Sequence, residues 1–341
     1  MANLVGLYEI ADIAGVTTAA VTNWTKRYDD FPSPEADIKA GKFYDKDKVE
    51  AWLRKKGKIM GAKVISFINL KGGVAKTTTT VGTATILAGT YGKKVLVVDL
   101  DPQTNCTTML IGEDKWKELN ENGHTLATLF KDAIEETNNF DLEKTLQKNV
   151  SNIRDVTGLD LIPSSLDMID IQDRLAMVPK GQFFSNNPTE IIKRALKPIL
   201  ADYDYVLIDC PPNMGLITLN GLRISQGYII PTIPDVLSTY GIPQIINRVN
   251  KYSDAIGEDI MCIGIVATKV RGQSSLHGRT LDVLRRNKDA DLFSTIFYEN
   301  NQIGEAAECV PVGTLRQKWG YQGQYDRFSE FAAEVLKRMG E

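Results

Sequence analysis

Two lysines, Lys71 and Lys76, stand five residues apart in a stretch that reads KVISFINLKGGVAKTTTT from Lys63 to Thr80. Ahead of them Val64, Ile65, Phe67 and Ile68 have the composition of a buried strand, and behind them Thr77 and Thr78 open a segment compatible with a helix. Gly72 and Gly73 let the backbone reverse between the two, so that the amides of Gly72, Gly73, Val74 and Ala75 turn inward toward an anion. At the start of a helix such amides carry the positive end of its dipole. Lys76 adds a point charge, and the Thr77 hydroxyl is suited to ligate Mg²⁺ on bound phosphates. The chemistry these residues fit is the binding of a nucleoside triphosphate.

Two aspartates at the ends of apolar runs fit the same chemistry. Val95–Val98 leads into DLDPQTN with Asp101, and YDYVLIDCPP, from Tyr203 to Pro212, ends its four apolar residues at Asp209. In an open parallel sheet, ligands sit at the carboxyl ends of the strands, where both aspartates would lie. A carboxylate at the Asp209 position holds a magnesium-bound water, as in a Walker B strand. The bland readings are an N-cap for Asp101 and an ordinary buried strand for Asp209. Both weaken because the two aspartates follow the glycine-lysine loop in one chain.

The simple phosphate-loop template asks for Gly where this chain has Leu70 and Ala75. The additional Lys71 makes the stretch resemble the deviant Walker A motif, KGGxGKT, of the ParA/MinD family of ATPases, and DLDPQ and DCPP resemble that family's later motifs. The resemblance covers roughly residues 62–338. It implies ATP and ADP with Mg²⁺ as ligands, a sandwich dimer formed with ATP in which Lys71 reaches the other subunit's nucleotide, and Asp101 orienting the attacking water. Thr268 and Lys269 would border the adenine, with Glu299 and Asn300 on its second side in place of the family's more usual Arg-Asn. If position 75 requires a positive φ, Ala75 costs about 1–2 kcal/mol relative to Gly.

Composition sets the frame. At 341 residues, 43% hydrophobic and 24% charged, the chain is long enough for two domains and a substantial core. A net charge of −3 excludes a generally basic nucleic-acid coat but not a local basic patch. No apolar run approaches the ~18–20 residues of a membrane span, and the start of the sequence lacks a signal-peptide pattern, so the expectation is a cytoplasmic protein; nucleoid association is what the resemblance implies. Cys106, Cys210, Cys262 and Cys309 are scattered, with Cys210 and Cys262 read as core, and two histidines are too few for a His-based metal site.

The positioning elements follow a strand–helix alternation that predicts an α/β, doubly wound, mostly parallel sheet over residues 63–341, a linker at 57–62 and a small domain at 1–56. In the small domain IAxxAGVTxxAVxNW reads as two helices turning at Gly15, with Thr17 capping the second. That second helix would present Thr18, Asn23, Lys26 and Arg27 outward, as a recognition helix does. A hairpin at IKAGKFY, turning at Ala40-Gly41, and a helix burying Val49, Trp52 and Leu53 complete a pattern that looks like a winged helix-turn-helix of the MerR or phage-terminase small-subunit type. The charge of this segment is nearly balanced, which leaves a protein-interaction module as the alternative.

Farther on, 112–155 is polar and helix-prone, 158–163 a strand, Phe183-Phe184 and Asn186-Asn187 a polar lead into a helix at 189–201 kinked by Pro198, and 325–339 a closing core helix. A second basic surface is expected from Lys269, Arg271, Arg279, Arg285, Arg286 and Lys288, set against the single acid Asp282. By resemblance it would hold non-specific DNA. The resemblance as a whole implies a DNA-partition ATPase, slow and stimulated by a ParB-like partner, with the small domain binding operator DNA for autorepression. A nucleotide-responsive repressor and a cargo-positioning MinD-like ATPase are the alternatives.

Overall fold

The computed structural model describes residues 4–14, 16–38, 41–56, 58, 61–177, 187–321 and 323–341. The expected turn at Gly15, Ala40 of the hairpin turn, Phe183-Phe184, Asn186, and Gly57, Ile59 and Met60 of the linker lie outside the described residues. The chain divides into two compact units. One comprises Met1–Lys63 with Lys197–Asp204, the other Val64–Leu196 with Tyr205–Glu341.

In the first unit a two-residue strand, β1 (Leu4–Val5), precedes α1 (Leu7–Ala14) and α2 (Thr18–Arg27), and a hairpin of β2 (Ala36–Ile38) and β3 (Gly41–Asp45) leads into α3 (Lys46–Lys55). The strands form an antiparallel sheet in the order β1-β3-β2. Gly41 pairs with Ile38 as the first residue of β3, so it belongs to the strand and not to the turn. Thr17 caps α2 through the Ala20 amide at 3.3 Å, and Asp45 caps α3 through the Lys48 amide at 3.0 Å. Val5, Ile10, Val21, Val49, Leu53 and the rings of Phe31, Tyr44 and Trp52 make the core. The Phe31 ring lies edge-on to Trp52 at 4.7 Å and to Tyr44 at 5.5 Å. Thr18, Asn23, Lys26 and Arg27 are all exposed along α2.

The second unit is a seven-stranded sheet built from β4 (Lys63–Phe67), β5 (Val95–Asp99), β6 (Leu159–Ile162), β7 (Tyr205–Asp209), β8 (Gly227–Thr232), β9 (Met261–Val270) and β10 (Leu292–Tyr298). Their order is β10-β9-β8-β4-β7-β5-β6, with parallel pairing of β10 to β9, β9 to β8, β8 to β4, β7 to β5 and β5 to β6. The chain therefore winds outward from β4 to one edge, returns through β7, and winds out to the other. That reversal beside β4 is the switch point where an open sheet leaves a crevice.

Helix α4 (Lys76–Gly89) follows β4; α5 to α8 (Asn105–Ile111, Glu113–Glu121, Leu126–Glu135 and Leu142–Thr145) connect β5 to β6; α9 (Met168–Met177) and α10 (Ile191–Leu196) connect β6 to β7. Then come α11 (Leu216–Ile224), α12 (Val236–Ile256), α13 (Ser275–Arg285), α14 (Asn301–Glu305), α15 (Leu315–Trp319) and α16 (Gln324–Arg338). The helix expected at 189–201 is not kinked at Pro198: α10 ends at Leu196, and a separate 3₁₀ turn covers Leu200–Asp202. Proline lacks the N–H that would continue the helix and disfavours helical backbone in the residue before it. Cys262 is only half-buried, whereas Cys210 is buried as expected.

Strands β4, β5 and β7 are buried along their whole length, as a parallel sheet covered on both faces requires. Ile65, Phe67, Val95, Val97, Tyr205 and Leu207 point into one core with Val81, Leu87, Trp319, Phe328 and Phe331 from α4, α15 and α16. On the opposite face a Cβ at Gly221 of α11 would stand 2.8 Å from Leu100 and 3.2 Å from Ile208, so α11 lies close to β7 there. Although α4 is rich in threonine, every residue from Thr79 to Ala88 is buried. Its threonines tolerate this because their hydroxyls bond back to the helix: Thr79 to Ala75 O at 2.7 Å, Thr80 to Lys76 O at 3.0 Å and Thr83 to Thr79 O at 2.7 Å.

At Gly82 α4 and α16 approach closely, since a Cβ there would lie 2.2 Å from the Phe328 ring. Alanine is the better helix former by about 1 kcal/mol. Gly82→Ala is nonetheless expected to lower stability by about 1–2 kcal/mol net through overpacking. The measurement is the denaturant midpoint at unchanged slope.

Candidate active site

The loop between β4 and α4 makes its reversal with two left-handed residues, Gly73 at φ 74° and Ala75 at φ 61°. Ala75 is the residue before the first helical turn, so its conformation aims α4 at the end of β4. Position 75 does adopt a positive φ, so the strain is borne by a residue that has a Cβ. Thr268, from the end of β9, donates through Oγ1 to Val74 O at 3.0 Å and pins the loop. Lys76 is buried, with Nζ 3.4 Å from Lys71 O, so its ammonium lies under the loop backbone.

Three carboxylates gather at the ends of β5 and β7. Thr77 Oγ1 donates to Asp209 Oδ2 at 2.6 Å, which joins the first turn of α4 to the end of β7. Asp209 Oδ1 is buried with no hydrogen-bond partner in the protein. Burial pushes the Asp209 carboxyl well above the ordinary range, and the charge of Asp99 adds to this; Thr77 and Lys76 pull the other way. Asp101 is likewise raised by burial, against the Gln103 amide at 3.0 Å and the charge of Lys76. Asp99 is raised by burial too and accepts from Thr107 N at 2.9 Å, Thr107 Oγ1 at 2.7 Å and the Asp101 amide at 3.1 Å. Its role is to fold the Asp101 loop; the contacts put it neither on the loop lysine nor on Thr77.

These donors fit a hard divalent cation. A buried carboxylate oxygen lacking a partner, beside a hydroxyl on the same group, needs a positive charge, and a cation there lowers the raised carboxyl values. Among the described residues no three His, Cys, Asp or Glu side chains form a complete metal cage. Mg²⁺ is commonly held by one or two protein oxygens with the rest supplied by phosphates and water, so Thr77 and Asp209 are the pair that would hold it.

Thr268, Lys269, Glu299 and Asn300, far apart in sequence, line one cavity of about 480 Å³ with Ala75, Thr78, Phe297 and Tyr298. It is contiguous with the loop through Ala75 and Thr78, and a lining that mixes polar side chains with the aromatic residues Phe297, Tyr298 and Phe328 suits a planar base. Lys71 takes a different course. Its Nζ is ion-paired with Asp235 of its own chain, the N-cap of α12, and its amide is held by Asn69 Oδ1 at 2.9 Å. Burial raises the Asp235 carboxyl but is outweighed by Lys71 and Ser238, which hold it below the ordinary range. Neither Asp235 nor Asn69 was singled out from sequence. Asp235 carried a signal, an aspartate between an apolar strand and a helix; Asn69 carried none beyond following the strand.

The cationic residues around α13 are exposed, but two are engaged: Arg271 pairs with Glu299 and Arg285 with Asp282 at 2.8 Å. Gln273 is exposed as well, after β9. Among the described residues no helix is long and apolar enough to cross a membrane.

Ala75→Gly is expected to raise the stability of the nucleotide-free protein by about 0.5–1 kcal/mol. That is what remains when the left-handed strain of about 1–2 kcal/mol is set against the larger unfolded-state entropy of glycine, about 0.4–1 kcal/mol. The thermal midpoint reports it.

A family model described as "AAA domain" (AAA_31) matches residues 62–262. The sporulation initiation inhibitor protein Soj of Bacillus subtilis (strain 168) is 29% identical over 244 residues, 72% of this chain and 87% of Soj. The chromosome partitioning protein ParA of Caulobacter vibrioides (strain NA1000 / CB15N) is 27% identical over 245 residues, 72% of this chain and 83% of that protein. Among solved structures, cobyrinic acid a,c-diamide synthase from Mycobacterium smegmatis with bound ATP analogue and magnesium aligns with a TM-score of 0.60 at 25% identity, over 82% of this chain and 96% of that one. Because the family model spans more than half of the residues and ends within β9, covering the loop and both aspartate-bearing strands, the chain belongs to this AAA domain family.

Proposed function

We propose that the protein is a partition ATPase of the ParA type, which binds ATP with magnesium at the β4–α4 loop and uses nucleotide-dependent dimerisation to govern its hold on DNA. The observation that carries this is the junction of Lys76, Thr77, Asp209 and Asp101 at the carboxyl ends of β4, β5 and β7, opening toward a base-sized cavity. Loop amides and Lys76 hold the phosphates. Thr77 and Asp209 would hold the magnesium, which when bound would neutralise charge on the phosphate oxygens. Asp101, folded inward by Asp99 and Gln103, would align the attacking water, and little further covalent chemistry is required of the protein.

Lys71 is the residue through which a second subunit would be read. In the dimer it would leave Asp235 and reach the partner's nucleotide, so the dimer forms only as far as nucleotide favours that exchange. The relatives named Soj and ParA support this reading of the ATPase unit. Two surfaces serve DNA: the outer face of α2, with Thr18, Asn23, Lys26 and Arg27, as the reader of an operator in a winged helix-turn-helix, and the basic face around α13, with Lys269, Arg271, Arg279, Arg285, Arg286 and Lys288, for random sequence. A ParB-like partner would accelerate the otherwise slow hydrolysis, and the protein would act in the cytoplasm on the nucleoid.

Lys76→Ala is expected to weaken ATP binding by at least about tenfold, the loss of a charge-assisted contact, read by titration calorimetry. Asp101→Asn should keep ATP binding and dimerisation and lower turnover by about 100-fold or more, read by phosphate release beside a sizing column; undiminished turnover removes Asp101 from its role. Replacing Arg279 and Arg286 by Glu should weaken random-duplex binding and lower its salt slope by about 1–2.

A further inference from the structure

The base cavity and the basic face meet at one ion pair. Glu299 lines the cavity of about 480 Å³, and its carboxylate accepts from Arg271 Nε at 2.7 Å and from a terminal guanidinium nitrogen at 3.4 Å. Their backbones are fixed: the Glu299 amide donates to Val270 O at 3.0 Å, and the Arg271 amide donates to His277 Nδ1, also at 3.0 Å. His277 lies in the first turn of α13, the helix that carries Arg279 and Arg285. Behind Arg271 the strand end is tied to the phosphate loop through Thr268 and Val74, with Lys269 between at a left-handed φ of 48°. The side chains remain free to exchange partners, being 68% exposed for Arg271 and 49% for Glu299. The Arg271 guanidinium holds the Glu299 carboxyl below its ordinary range, so the pair is charged near neutral pH.

We infer that Glu299 guards Arg271: while the cavity is empty the carboxylate holds the guanidinium, and a base entering the cavity draws Glu299 away and releases Arg271 to DNA phosphates. This rests on the reading that the cavity takes the base of ATP and that the face around α13 binds DNA. The physical basis is competition for one acceptor. A purine amino group or ribose hydroxyl brought to Glu299 takes lone pairs that Arg271 otherwise uses, and a guanidinium without its carboxylate presents a full charge to solution. An exposed pair of this kind shifts an equilibrium by a factor of about two to five. Glu299 is therefore a modulator of DNA affinity and not its source.

The test measures binding of the full chain to a short random-sequence duplex, without nucleotide and with a non-hydrolysable ATP analogue plus Mg²⁺, for wild type, Glu299→Gln, Arg271→Gln and the double variant. The expected result is that Glu299→Gln raises nucleotide-free affinity about two- to fivefold and leaves analogue-bound affinity unchanged. Arg271→Gln should lower analogue-bound affinity, and the double variant should behave as Arg271→Gln alone because the two positions are coupled. If Glu299→Gln strengthens binding equally in both states, or its gain persists beside Arg271→Gln, Glu299 is only a repelling charge; the inference falls and the functional reading stands. If wild type with the analogue fails to bind duplex even at low salt, the functional reading falls and the inference with it.

Discussion

The reversal of backbone between β4 and α4 is the constraint on which the rest of the structure depends. A parallel strand delivers its carboxyl end to one edge of the sheet, and a helix starting there presents amides that the helix itself leaves without intrahelical partners. Pointing those amides at one small volume requires left-handed residues at 73 and 75, and the chain accepts the strain at Ala75 rather than place glycine there. The macrodipole and Lys76 then create a positive field in a site whose other wall is carboxylate.

That wall explains the electrostatics. Asp99, Asp101 and Asp209 are all buried, and each is raised by burial. Like charges in a low-dielectric site tolerate one another only through compensation. Asp99 is compensated by three donors from its own loop, Asp101 by one amide and Lys76, and Asp209 by Thr77 on one oxygen. The unsatisfied oxygen of Asp209 marks where positive charge belongs, next to the hydroxyl that would share it.

Packing holds this arrangement rigid. Helix α4 is enclosed by the sheet on one side and by α15 and α16 on another, with Trp319 Nε1 bonded to Thr85 Oγ1 at 2.9 Å and Phe328 against Gly82. A helix so confined cannot shift its first turn without disturbing the core, because packed interiors deform discontinuously. The rim carries solvent-accessible ion pairs instead, Lys71 with Asp235 and Arg271 with Glu299, whose charged side chains can exchange partners at small cost.

The sequence by itself determined the strands, the loop and the aspartates that follow β5 and β7, since apolar runs ending in Gly, Lys, Thr or Asp are local patterns that hold whatever the rest of the chain does. It also placed α1, α2 and α16 nearly to their ends through caps and helical spacing, and α3 by its buried residues Val49, Trp52 and Leu53. It did not show that α4 is buried over most of its surface, because threonine reads as polar until its hydroxyl is seen bonded to its own helix. Nor did it end the helix before Pro198, or count the partners of a charge. Arg271 and Glu299 are 28 positions apart, and Lys71 and Asp235 are 164 apart. Which carboxylate a lysine or arginine meets is decided by the order in which strands are laid into the sheet, a property of the whole chain that no local spacing encodes.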